Sequence, residues 1–158
     1  MSQGDFVDFD APMINKYKDL AALGAEYELR IRLLANKMRL SLSSKVILQD
    51  VEKKIIEVFE SKLNEEEKVM LAETRELRNK FLHGNFNAVV DLMGKKGVSI
   101  KKGIVIGMDY ASSNPVPIGN GDLYLDFLNF FLGGGADPLM EAFRKGIRII
   151  TRLTNDRQ

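Results

Sequence analysis

Apolar residues recur along the first part of the chain at steps of three and four. Leu20, Leu23, Tyr27, Ile31, Leu34 and Met38 therefore fall on one stripe of a long helix. Asp10-Ala11-Pro12 supplies a start, an acid able to cap with proline in the first turn, and Ser41-Leu42-Ser43-Ser44 interrupts the pattern. A second helix is predicted where Ile47, Val51, Ile55 and Phe59 share a face opposite charged residues. The third is the best delimited. Asn64 before Glu65-Glu66-Glu67 gives a capping residue, a glutamate three positions on to answer it, and acids at the positive end of the helix dipole. Gly84 closes that helix, and Phe86 to Met93 fits a short fourth one.

The pattern then changes. Val98-Ser99-Ile100 and Ile104-Val105-Ile106 lie either side of Lys101-Lys102-Gly103 and read as β-rich runs about a turn. Together with the Pro- and Gly-bearing stretch from Ala111 to Gly121, they predict a small hairpin and loop over roughly 95–120. Leu123 to Leu132 is apolar nearly all round, as in a helix buried on several sides or in a subunit interface. Gly133-Gly134-Gly135 ends it and Asp137-Pro138 starts the last helix. There Leu139, Phe143, Ile147 and Ile150 form the apolar stripe, and Arg144, Arg148 and Arg152 line another face. The predicted class is all-α, an antiparallel helical bundle with a small β-hairpin insertion, as one domain over 1–158.

Composition narrows the function. At 158 residues and 45% hydrophobic, the chain can build one domain with a real core. A net charge of +1, with both signs interspersed, gives no bulk attraction to nucleic acid or anionic membrane, so any RNA contact must come from local patches. The absence of cysteine removes disulfides and thiolate chemistry; with a single histidine, no metal site and no cofactor are predicted. The N-terminus lacks a signal-peptide pattern and no apolar run approaches the ~20 residues that span a bilayer. A cytoplasmic protein with no membrane partner is expected.

Several patches have plain explanations. Lys95-Lys96, Lys101-Lys102 and the Arg144, Arg148, Arg152 stripe lack the aromatic interleaving of single-strand binders, and suit solvated or ion-paired faces. Phe127, Phe130 and Phe131 read as core or dimer contacts. The three glycines have neither the following Lys-Ser/Thr nor the preceding strand of a phosphate loop. Asp122 and Asp126, four apart, need no metal to explain them.

The lone histidine stands in Arg78-Asn79-Lys80-Phe81-Leu82-His83-Gly84. On an ideal helix positions 78 and 83 point roughly 140° apart, whereas Asn79 and His83 share a face. Metal-free RNA cleavage needs a base for the 2′-hydroxyl proton, an acid for the leaving 5′ oxygen and a cation for the charge on phosphorus. Histidine suits the first two roles. A homodimer in which two copies of His83 and of Arg78 meet across a two-fold axis would bring acid, base and cation into one cleft, so the single histidine favours a dimer if this chemistry applies.

An arginine, a polar neighbour, a histidine after four intervening residues and a closing glycine together resemble the signature of the HEPN superfamily. Phe81-Leu82 before His83 and Gly84 after it complete the match over residues 78–84. The resemblance implies a small helical domain and a metal-independent endoribonuclease working in a cleft between two protomers, with 2′,3′-cyclic phosphate and 5′-hydroxyl products. It makes Arg78 and His83 catalytic and Asn79 and Lys80 substrate-binding. The implied setting is a toxin of a toxin–antitoxin pair or a phage-defence protein, with an antitoxin or nucleotidyltransferase as partner. One toxin subgroup carries a nucleotidyltransferase-modified tyrosine two residues after the histidine. Asn85 stands there, so that control is not expected.

Other readings stay open. His83 suits the C-terminal end of a helix, where it favours the dipole, and Arg78 suits an ion pair with Glu26 or Glu28. The chain is then a non-catalytic HEPN-like dimer serving as a binding or regulatory module. A helical adaptor unrelated to that family is the third reading.

Overall fold

The computed structural model describes residues 4–39, 46–100 and 123–156, with 4–10 as backbone only. Among the described residues every regular element is helical: α1 (Gly4–Lys37), α2 (Leu48–Val58), a single 3-10 turn (Glu60–Lys62), α3 (Glu65–Leu82), α4 (Phe86–Lys95), α5 (Leu123–Leu132) and α6 (Ala136–Asn155). The all-α class follows. None of these helices is long and apolar enough to cross a membrane.

Two local expectations need correction. Val98-Ser99-Ile100 is not a strand. Instead, the Val98 N–H bonds to the Met93 carbonyl at 3.0 Å and the Gly97 N–H to the Gly94 carbonyl at 3.0 Å, with Gly97 at φ 84°. This is the closure of a helix by a left-handed glycine, so Val98 caps α4 rather than joining a sheet. The rest of the hairpin region, 101–120, lies outside the described residues. The second correction is at α1, which begins at Gly4, upstream of the expected Asp10–Pro12 start, and carries Pro12 inside it. Proline costs that helix one backbone bond there without ending it.

The chain divides into two compact units, one of residues 1–21 and 79–140, the other of 22–78 and 141–158. The boundaries fall inside α1, α3 and α6.

In the unit of 22–78 and 141–158, the stripe predicted for α1 forms the core. Tyr27, Ile31 and Leu34 are buried with Val51 and Ile55 of α2, Leu71 of α3, and Ile149, Ile150 and Leu153 of α6. Each such aliphatic side chain contributes about 1.5–3 kcal/mol by leaving water. Small residues set how closely the helices approach. A Cβ added at Gly146 of α6 would stand 2.7 Å from Thr74 Oγ1 of α3, so only glycine fits.

The unit of 1–21 and 79–140 has an aromatic core. Phe81 is fully buried, stacked on Tyr17 at 4.8 Å with 26° between planes, and flanked by Phe86 at 5.8 Å and Phe130 at 6.0 Å. Phe130 meets Phe131 edge-on at 5.0 Å. The apolar α5 sequence is thus mostly interior, with Leu128, Phe130 and Phe131 buried, although Leu123 and Leu132 remain exposed. Asn129 is buried too, and its side-chain amide donates to the Leu125 carbonyl at 2.8 Å, so it costs the core no missing bond.

Candidate functional site

The segment bearing the motif begins with a reciprocal cap. Asn64 Oδ1 accepts the Glu67 N–H at 2.7 Å and Glu67 Oε1 accepts the Asn64 N–H at 3.1 Å, the capping box predicted from the sequence. Arg152 of α6 reinforces this end by bonding both carboxylate oxygens of Glu67 and, at 2.8 Å, the Lys62 carbonyl. The Arg152 hydrogen bond holds the Glu67 carboxyl below the ordinary glutamate range.

The other end of α3 is closed at Gly84. Its φ is 74°, its N–H bonds to the Phe81 carbonyl at 3.0 Å, and the Asn85 N–H bonds to the Lys80 carbonyl at 2.9 Å. A side chain at 84 would be strained by that φ and would bring a Cβ to 3.3 Å from Leu123 Cδ1. The turn leaves His83 just past the last helical residue, its N–H on the Asn79 carbonyl at 3.2 Å and its side chain exposed. Asn79 is half-buried and Lys80 exposed.

His83 lines a groove of about 510 Å³ with Ile14 and Tyr17 of α1, Leu82 and Gly84, Phe86 of α4, and Leu123, Tyr124 and Phe127 of α5. Among the described residues no Lys, Arg, Asp or Glu lines it. Carbon surface dominates, with one imidazole and two phenols as the polar side chains. The groove was not foreseen from the sequence, since it needs α1 and α5 beside the end of α3; the all-round apolarity of Leu123–Leu132 was the available hint.

Arg78 belongs to the other unit. Its Nη2 pairs with Glu28 Oε1, and Glu28 Oε2 accepts from Arg32 Nε at 3.0 Å, while Arg32 Nη1 reaches the Val46 carbonyl at 2.8 Å. Of the two acids that sequence reasoning offered, Glu28 is the partner; Glu26 takes Arg30 at 2.6 Å. The Arg78 stem runs beside Gly24, where an added Cβ would lie 3.3 Å from its Cγ. One turn earlier Arg75 Nε meets Glu52 Oε1 at 3.2 Å. Glu52 is 3% exposed, and burial raises its pKa against the opposing pull of Arg75. Tyr27 stands 3.2 Å from Glu52 and 2.9 Å from the Leu71 carbonyl, and burial raises its pKa well above the ordinary phenol value. A phenol has one proton, so Tyr27 donates to one of these acceptors at a time.

The sequence motif thus separates into parts with different neighbours. His83 has the groove, Arg78 has Glu28. Among the described residues no group of three His, Asp or Glu side chains can hold a metal ion. Asp126 is buried, and Asp122 lies outside the described residues. The chain matches no known family model, no curated protein and no solved structure.

Proposed function

We propose that this chain is a HEPN-type, metal-independent endoribonuclease acting as a homodimer. The observation that supports it most is His83: the sole imidazole of the chain is exposed beside a helix-terminating glycine and lines a groove. In the proposed reaction one protomer's His83 takes the 2′-hydroxyl proton, and the 2′ oxygen attacks phosphorus. The P–O5′ bond breaks, and the partner copy's protonated His83 gives its proton to the leaving oxygen. The products are a 2′,3′-cyclic phosphate and a 5′-hydroxyl, with charges and protons balanced. Arg78 stabilises the phosphorane after exchanging Glu28 for phosphate oxygens, and Asn79 and Lys80 contact the substrate. The proposed setting is cytoplasmic: a toxin or phage-defence protein, with an antitoxin or nucleotidyltransferase as its protein partner.

The test is cleavage of unstructured RNA by purified protein in chelator. Wild type is expected to give cyclic-phosphate ends, and His83→Ala to lose about 10²–10⁴-fold in rate, the usual contribution of general acid–base catalysis. Equal cleavage by the two proteins, or none by wild type across RNAs and conditions, overturns it.

One observation favours a second reading. Arg78, Glu28 and Arg32 form an internally bonded cluster, as in a non-catalytic helical module whose arginine is structural. On that reading Arg78→Ala lowers unfolding free energy by about 1–3 kcal/mol, the scale for losing a charged, part-buried hydrogen bond, and removes nothing else. The nuclease reading expects a folded Arg78→Lys protein to have lost cleavage, because an ammonium cannot reproduce the guanidinium fork.

A further inference from the structure

We infer that the groove at His83 receives an unstacked nucleobase of single-stranded RNA, which makes base stacking the main source of substrate affinity. This deepens the ribonuclease reading and rests on it for its biological sense. Three observations carry the argument.

The first is the rigidity and openness of the rings. Tyr17 lies against Phe81 at 4.8 Å and 26°, and Phe127 is held by Phe131 at 4.9 Å and Phe86 at 5.9 Å. Both are half-buried and line the groove, so part of each ring is fixed by the core and part is open. Such rings lose little freedom when a flat ligand stacks on them. The expectation that Phe127 is a core or dimer contact accounts only for the covered part.

The second observation is charge. Among the described residues no Lys, Arg, Asp or Glu lines the groove, so apart from His83 these walls offer no counter-ion to a phosphate. A nucleotide fits with its base inside and its phosphodiester at the rim, where His83 is exposed and Lys80, exposed one turn earlier, can approach the backbone. Tyr17, Tyr124 and His83 give the carbon walls polar side chains able to meet base edges.

The third is the balance of affinity. A chain with net charge +1 cannot bind RNA through bulk attraction, and stacking on aromatic side chains is a large sequence-tolerant contribution that does not depend on it. At about 510 Å³ the groove falls in the ~300–1,000 Å³ range of small-ligand sites, ample for one base. Duplex bases are stacked and paired, so single strands should be preferred.

The test uses the full chain and a 2′-O-methyl oligoribonucleotide, uncleavable for want of a free 2′-hydroxyl, carrying 2-aminopurine. Binding is expected to change the probe's fluorescence. An otherwise identical oligomer with abasic positions should bind roughly ten- to hundredfold more weakly, the range that one stacked base supplies, and a duplex should bind weakly as well. Tyr17→Leu should weaken the single strand about tenfold, and so should Leu123→Asn at the exposed rim, which keeps the assay decisive if the first variant does not fold. Arg148→Ala, on an exposed face of the other unit, should bind as wild type. Equal affinity for base-bearing and abasic strands overturns the inference. So does unaltered affinity in folded groove variants, no binding at all, or self-association through the groove that RNA does not compete with. Base-dependent binding without cleavage of ordinary RNA would sink the nuclease reading alone; cleavage with no base dependence would sink the groove alone.

Discussion

Glu52 shows most directly how a single residue couples burial to pH. Its carboxyl is almost fully removed from water, and burial outweighs the Arg75 guanidinium in setting its pKa above the ordinary glutamate value. A group with a raised folded pKa binds more protons folded than unfolded. Its contribution is therefore fully present below the unfolded pKa and is lost as pH rises through the folded one. Stability measured by urea unfolding between about pH 4 and 7 should carry a downward contribution from Glu52, and Glu52→Gln should flatten that part of the curve. An unchanged slope in the variant would show that Glu52 binds protons equally in the folded and unfolded chain, and so has no raised pKa. At this scale the sequence was partly legible. Glu28 was within reach as a partner for Arg78 because regular helices fix which residues share a face. The pairing of Arg75 with Glu52 was not, since it needs α2 and α3 brought side by side.

Helix ends were the most legible elements because their signals are local. The Asn64–Glu67 box forms as expected, and Asn64→Ala should cost about 1 kcal/mol in a denaturation experiment. Part of what the box and Arg152 contribute depends on Glu67, whose folded pKa is lowered. Its stabilisation is present above the ordinary glutamate pKa and fades as pH falls through the lowered value. The cost of Asn64→Ala should therefore shrink in acid. α3, α4 and α5 all close in one way, with Gly84, Gly97 and Gly134 at φ 74°, 84° and 85°. The two misreadings share a cause. Val98 and Ile100 carry strand propensity and Pro12 a helix-start preference, yet in both places the continuing helix or its cap decided the conformation.

For the whole molecule, the all-α class follows from periodicity, whereas the groove arises only when distant segments pack, and the assembly lies outside any one chain. The proposed mechanism nevertheless makes assembly measurable. If catalysis needs His83 from two copies, activity per chain should fall on dilution together with the fraction sedimenting at twice 17.8 kDa. Doping wild type with His83→Ala chains should then depress activity more than in proportion. Activity proportional to chain concentration across the dissociation range would falsify the composite site. The exposed position of His83 in the groove has a further use, in spectroscopy. A histidine-selective label places one probe in the whole chain, and that probe sits at the groove, where the proposed reaction brings ligand, partner and proton. Two copies in slow exchange between acid and base roles would give two imidazole resonances from one residue, and two equivalent copies would give one.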